Sequence, residues 1–197
     1  MPMPLSEAFV VARVSSPIGA MLLVSDGDGA LRALDWEDHA ARMKALLRRQ
    51  YGPGLALREG PAPAAARRAL AAYFDGALTA LDALPVATQG TPFQRQVWAA
   101  LRRIAPGTTL SYGTLAARIG RPAAVRAVGA ANGANPVCIV VPCHRVIGAD
   151  AGLAGYGGGL ARKRWLLAHE GALPGGERPQ QAGRGNASMS SSLARMT

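Results

Sequence analysis

The sequence predicts an α+β protein in two parts: an N-terminal antiparallel sheet with helices, then a mainly helical C-terminal part containing a helix-turn-helix. Three observations carry this expectation. Strand-length apolar runs crowd the N-terminal end, helical spacing dominates after Gln89, and charge is divided unevenly between the two parts. A chain of 197 residues, 49% of them hydrophobic, is long enough for a real core and too apolar to be disordered throughout.

Phe9–Val14 and Ala20–Ser25 are short apolar or alternating runs separated by Ser16-Pro17-Ile18-Gly19. Asp26-Gly27-Asp28-Gly29 is a turn signal before a third run, Leu31–Leu34, so an antiparallel meander is expected. Glu37–Tyr51 places apolar residues at helical spacing with Lys/Arg outward, and Gly52-Pro53-Gly54 stops it. A second helix is expected over Ala64–Phe74, after Pro61-Ala62-Pro63. Residues 1–88 thus read as a supporting domain without visible chemistry.

The second part, 89–172, opens with Thr91 as N-cap and Pro92 at the first helical position. A helix over Phe93–Ile104 should end before Pro106-Gly107. Ser111–Gly120 reads as a short amphipathic helix, and Arg121-Pro122 turns the chain into another, Ala123–Gly133. Two short helices across a tight Gly-containing turn look like a helix-turn-helix, although many helical hairpins share that pattern. Leu160–His169 is the last expected helix. The tail, 173–197, is Gly/Pro/Gln/Ser-rich without periodicity and is expected to be disordered.

Charge narrows the partners. Residues 1–90 hold nine Lys/Arg and nine Asp/Glu, whereas residues 91–170 hold ten Lys/Arg against Asp150 and Glu170 alone. Most of the net +10 therefore sits on the second part, which suits a polyanion, nucleic acid first. Two cysteines spaced Cys-x4-Cys fit neither a disulfide framework nor a zinc cluster, so no metal is expected. The chain start lacks a basic segment followed by an apolar one, and no apolar run is of membrane-spanning length. A reducing cytoplasmic setting is expected.

The most telling stretch runs from Asn135 to Val146: Asn-Pro-Val-Cys-Ile-Val-Val-Pro-Cys-His-Arg-Val. Its β-branched centre predicts a buried strand, ended by Pro142, that presents Cys143 with His144 and Arg145 directly behind it. A thiol on a rigid element beside an imidazole suits a nucleophile, although free cysteine is also common as an inert core residue. Cys138, inside the run, reads as inert. The helix Ala123–Gly133 is built of small residues, among them Ala124 and Ala127, around a single long cation, Arg126. Tight helix packing explains that equally well as a smooth face laid on DNA with Arg126 pushed between bases. Beyond Asn132 little is offered for reading base edges, so sequence-independent binding is expected.

Pro142-Cys143-His144-Arg145-Val146, with Asn135-Pro136, the Ser111-Tyr112 helix start and the closing Trp165-Leu166-Leu167-Ala168-His169-Glu170-Gly171, resembles the O6-alkylguanine-DNA alkyltransferases. Leu34-Asp35-Trp36-Glu37-Asp38 also resembles the N-terminal domain of their bacterial constitutive type, which implies a ribonuclease H-like first domain. The resemblance implies a DNA repair protein that flips O6-alkylguanine, and O4-alkylthymine, out of duplex DNA. The alkyl group would pass irreversibly to Cys143, once per molecule, with no cofactor. It implies His144 as base, acting through water, Glu170 as its orienting carboxylate, and Asn135 as a structural tie to the recognition helix. Arg126 would fill the vacated stack, with Ala124 and Ala127 against the DNA. Tyr112 would help rotate the phosphate and donate to the base, whose developing charge needs such a donor. The backbone carbonyls of Cys143 and Val146 would accept from the base amine, the Gly157 N–H would meet its oxygen, and Tyr156 would wall the pocket.

Departures are few. Cys138 stands where proline is common, which puts a second sulfur near the pocket. Gly157 replaces a common serine, which should matter little if only its backbone acts. Asn132 and Gly133 suggest room for larger adducts. No zinc site or phosphotriester-sensing domain is visible, and a monomer is expected. Three other functions compete: a sequence-specific regulator that would not need Cys143, a lesion binder without the reactive thiol, and a Cys-His-Glu hydrolase that would not need the basic helix pair.

Overall fold

The protein is described by a computed structural model covering residues 8–150, 152–153 and 155–173. The expected disordered tail therefore lies outside the described residues, except for residue 173. The meander forms as expected from β1 (Phe9–Val14), β2 (Met21–Ser25) and β3 (Leu31–Trp36). Val11 pairs with Val24 and Leu23 with Leu34, both antiparallel. A strand the sequence did not reveal, β4 (Leu57–Glu59), adds parallel to β1, so the sheet is mixed, in the order β3-β2-β1-β4. With three residues and no alternation to read, β4 carries no sequence signal of its own.

Alternation gives the sheet two buried faces. Phe9, Val24 and Ala33 pack on Met43 and Leu47 of α1 (Ala40–Tyr51), which follows a 3-10 turn at Glu37–His39. Met21, Leu23, Leu34 and Trp36 face the other way, into a core shared with α2 (Ala64–Phe74) and the C-terminal helices. Both parts of the chain thus meet in one core.

The edge strand β3 is where the site is anchored. An open edge exposes unpaired N–H and C=O groups, and here two later segments take them. Leu31 donates to Pro85 O at 2.8 Å and accepts from Ala87 at 3.0 Å. Leu34 donates to Pro136 O at 2.9 Å, and its own carbonyl accepts from Cys138 N–H at 2.8 Å. The chain just ahead of Cys143 is thereby fixed to the N-terminal sheet.

In the second part, α3 (Pro92–Leu101) begins with the expected cap, completed as a box in which Thr91 and Gln94 bond reciprocally. It ends earlier than expected, with Arg102–Ile104 continuing as turns. α4 (Tyr112–Arg118) is capped by Ser111 and followed after a short turn by α5 (Val125–Gly133). This is the helix-turn-helix, and Trp98 Nε1 donating to Ala131 O at 2.8 Å ties α5 back to α3. β5 (Leu110–Ser111) and β6 (Val146–Ile147) form a small parallel pair, and α6 (Leu160–His169) closes the part. No helix among the described residues is long and apolar enough to cross a membrane.

Candidate active site

The run Asn135–Val141 is buried as expected but is not a strand. Its one ladder contact is the bridge of Val137 to Leu34; the rest is a knot of turns. Val140 N–H reaches Cys138 O at 2.8 Å, Val141 N–H reaches Val137 O at 2.9 Å, and Cys143 N–H reaches Val141 O at 2.8 Å. Ile139 sits at φ 67°, a left-handed conformation that a β-branched residue adopts at a cost of about 1–2 kcal/mol. Two things override the β propensity. Pro136 and Pro142 lack N–H donors, and Asn135 supplies from its side chain what a neighbouring strand would have given. Its Oδ1 accepts from Val137 N–H at 3.0 Å and its Nδ2 donates to Val141 O at 2.8 Å.

The same Nδ2 donates to Cys143 Sγ at 3.0 Å. Cys143 heads a 3-10 turn, Cys143–Arg145, and is only 2% exposed. Its thiol is held below the ordinary cysteine range, first by a hydrogen bond from Cys138, then by Asn135 and by the positive charges of Arg42 and Lys163, against the opposing effect of burial. Cys138, fully buried, is pushed well up by that same hydrogen bond and by burial, so it is the thiol of the pair. Its sulfur also lies 3.7 Å from Asp35 Oδ1 on β3. Cys138 thus sits beside a carboxylate rather than among apolar side chains alone.

Behind the sulfur lies a buried polar cluster. Glu170, just past α6, accepts from His144 Nε2 at 3.0 Å, from Arg145 Nε and Nη2 at 2.8 Å each, and from the Tyr73 hydroxyl at 2.7 Å. Against burial, which raises it, His144 and Arg145 hold its carboxyl far below the usual carboxylate range. Burial outweighs Glu170 at His144 and lowers its pKa, so the imidazole is neutral at pH 7. With Nε2–H given to Glu170, Nδ1 carries the lone pair, and it is buried without a protein partner among the described residues. Tyr73 comes from α2, and only its position in the fold reveals it.

Cys143 opens on a cavity of about 220 Å³ whose wall also includes Tyr112, Asn132 and Tyr156. Gly129, Gly133, Gly155 and Gly157 complete the lining, so the wall is largely backbone. Such a volume with flat aromatic walls suits one planar ring system. Burial, with Cys143 nearby, raises the Tyr112 phenol, which stays protonated and able to donate. Tyr156 Oη is buried and has no protein partner among the described residues.

The other expected residues fall into three places. Arg126 and Ala127 are exposed on α5, and Ala124, its N-cap, is partly exposed; all three precede Gly129, the first residue of α5 to line the cavity. Val146 is buried, its carbonyl accepts from Lys163 Nζ at 2.6 Å, and it does not line the cavity. Gly157 does line it, and its lack of a side chain leaves room for a neighbouring cation. A Cβ at 157 would collide with the Arg42 guanidinium, 2.7 Å from Nε. Arg42, from α1, is pinned there by an ion pair with Asp35 and by donation to Gly133 O at 2.8 Å and Asn135 O at 3.2 Å. Neither Arg42 nor Lys163 was marked as functional by the sequence, since a helical Arg or Lys normally reads as a solvated charge. No cluster of metal-ligating side chains occurs among the described residues.

Comparison with known proteins agrees over nearly all of the described chain. A family model described as the 6-O-methylguanine DNA methyltransferase DNA binding domain matches residues 92–172, and one described as the ribonuclease-like domain of the same proteins matches 10–88. The chain is 51% identical over 162 residues to a methylated-DNA–protein-cysteine methyltransferase of Salmonella typhimurium, covering 82% of this chain and 95% of that one. It is 41% identical over 155 residues to the protein of the same name from Haemophilus influenzae, covering 77% and 80%. Among solved structures, Mycobacterium tuberculosis OGT in complex with DNA superposes with a TM-score of 0.70 at 42% identity, covering 83% of this chain and 93% of that one.

Proposed function

The chain belongs to the 6-O-methylguanine DNA methyltransferase family, and on that premise we propose that Cys143 is the atom that takes the alkyl group and that the cavity beside it receives the everted base. Methyl transfer from DNA to a protein cysteine is the activity of this family. The observation that carries the residue assignment is the placement of Cys143 Sγ on the cavity wall with Asn135 Nδ2 3.0 Å away and the neutral His144, anchored by Glu170, next along the chain.

The sulfur lone pair attacks the alkyl carbon as the carbon–O6 bond breaks, and that electron pair passes into the purine. The Tyr112 hydroxyl donates to the base where this charge develops. His144 Nδ1 takes the thiol proton through a water, and Glu170 supports the charge that results. The Gly157 N–H faces the base oxygen, Tyr156 stacks along the ring, and the Cys143 carbonyl receives the exocyclic amine, a role that the buried Val146 carbonyl, already taken by Lys163, does not share. A thioether is a poor leaving group, so each molecule reacts once. On the DNA side, α5 lies against the duplex through Ala124 and Ala127, and Arg126 occupies the gap left by the flipped nucleotide. Residues 89–172 bind and react while 1–88 support them. The substrates are O6-alkylguanine and O4-alkylthymine in double-stranded DNA, and the protein works as a cytoplasmic monomer.

Incubation with an O6-methylguanine duplex, followed by peptide mass spectrometry, tests this. One methyl group should appear on the peptide containing Cys143 and none on the Cys143→Ala variant. Methylation at Cys138 or repeated turnover would contradict the assignment.

A further inference from the structure

Asn132 has no part in the transfer just described, yet it is what α5 brings to the cavity wall besides two glycines. It is 3% exposed, and its Oδ1 is buried without a protein partner among the described residues. A buried acceptor left in that state is costly to keep, and beside a cavity it marks where a donor arrives. Asn132 Nδ2 stands 3.5 Å from the Cys143 carbonyl oxygen. Turning the amide over would set two acceptors against each other, so Oδ1 is the free end. Two acceptors, Asn132 Oδ1 and Cys143 O, therefore lie near each other at the residue that carries the reacting sulfur. The reaction places the base. Its alkyl carbon reaches Cys143 Sγ, so O6 lies against that sulfur. The exocyclic amine, two ring atoms further along the same purine edge, then comes to the Cys143 carbonyl. An amine has two N–H bonds, and that carbonyl answers one. Val146 O is engaged by Lys163 Nζ at 2.6 Å and is off the cavity wall, so it does not answer the other.

We propose that Asn132 Oδ1 accepts the second proton of that amine, and that this side chain sets a preference of the site for O6-alkylguanine over O4-alkylthymine. The inference rests on Cys143 being the alkyl acceptor, and it deepens that reading by assigning what reads the base. Along the edge that enters the cavity, O6-alkylguanine presents its alkylated oxygen, a ring nitrogen lone pair and an amine. O4-alkylthymine presents its alkylated oxygen, a ring nitrogen lone pair and a carbonyl. The two edges thus differ at their far end, a pair of donors in one and an acceptor in the other. Against Asn132 Oδ1 and Cys143 O, the thymine carbonyl meets acceptors only and leaves all of them buried without a donor. A site built to take a donor rejects an analogue lacking it far more strongly than an apolar pocket rejects a change of size. Attack on the alkyl carbon is common to both bases, so the chemistry itself does not choose between them.

The test removes the amine from the substrate and the amide from the protein in turn. Duplexes of one sequence carry O6-methylguanine, O6-methylhypoxanthine (which lacks only the amine) or O4-methylthymine. Single-turnover methyl transfer from each is measured for the full chain, Asn132→Leu and Asn132→Ala. The unsubstituted protein should react at least about tenfold more slowly with O6-methylhypoxanthine than with O6-methylguanine. Both variants should lose at least about fivefold on O6-methylguanine yet stay within about twofold of the unsubstituted protein on O6-methylhypoxanthine, and neither should slow on O4-methylthymine. Differences in how readily each base leaves the helix cancel when proteins are compared on one substrate. Iodoacetamide capture of Cys143, which needs no base in the cavity, should stay within about threefold in both variants. Equal losses on the guanine and hypoxanthine substrates, or a matching loss of iodoacetamide capture, would show that Asn132 acts through the fold and would overturn the proposal. So would an unsubstituted protein indifferent to the missing amine. The methylated peptide reports the acceptor assignment separately, since Cys143 can take the methyl group whichever base delivers it.

Discussion

Asn135 Nδ2 stands 3.0 Å from Cys143 Sγ while holding the Val141 carbonyl at 2.8 Å, so one amide both shapes the knot and stabilises the sulfur's anion. Asn135→Ala leaves Val137 N–H buried without a partner and Val141 O with Cys143 N–H alone, and should cost about 1–3 kcal/mol in urea unfolding. Asn135→Asp retains an acceptor but sets a negative charge beside the thiolate. Its rate of iodoacetamide capture at pH 7 should fall at least about tenfold, with the pH profile displaced upward. An unchanged profile would mean that Asn135 acts only on the fold.

Glu170 gives a pH signature. Its carboxyl is held far below the ordinary value of 4.5, so the folded state gains from its ionisation. That stability is fully present above 4.5 and drains away as pH falls through the folded-state pKa. Glu170→Gln leaves Arg145 buried opposite a neutral amide and should cost about 3–5 kcal/mol at pH 7. The gap between the two proteins should stay constant from neutral pH down to about 5 and narrow below it. A gap independent of pH would place the loss in packing alone.

Arg126 is exposed on α5 and is not part of the cavity wall. Arg126→Ala should therefore spare reaction with the free alkylated base and slow repair in duplex DNA by about tenfold or more, because the loss falls on the few kcal/mol of base eversion. Equal losses on both substrates would contradict the wedge.

Gly157 and Arg42 should behave as a coupled pair. Gly157→Ser drives the guanidinium off Gly133 O and Asn135 O, loosening the end of α5 and the start of the knot. A thermal melt should show Gly157→Ser destabilised by about 1–3 kcal/mol, and the loss in Arg42→Ala/Gly157→Ser should be smaller than the sum of the two single losses. Strict additivity would show that the two positions do not press on each other.

Much of this molecule could be read from its residues. Three strands, the capped α3, the α4–α5 turn and the full span of α6 follow from alternation, Thr91-Pro92 and helical spacing, signals that are local in sequence. What stayed hidden is what depends on distant partners. β4 exists because β1 has a free edge, and the β-branched run at 137–141 folds into turns because Asn135 and β3 satisfy it from outside the run. The site divides the same way. Cys143, His144, Glu170 and Tyr112 stood out by residue type and resemblance, whereas Tyr73, Arg42 and Lys163 come from helices and reach the site only through the tertiary fold. Cys138, which its apolar run marked as inert, has the Asp35 carboxylate 3.7 Å from its sulfur, a contact no spacing rule could show.

The left-handed backbone at Ile139 is tolerable only while the surrounding side chains hold it. Once Cys143 carries an alkyl group its sulfur is neutral and a feeble acceptor, so Asn135 loses one of its grips at the moment repair is complete. A spent molecule is then a looser molecule, distinguishable from a fresh one by how readily this segment opens to solvent or protease, and the history of each copy is written into its own rigidity.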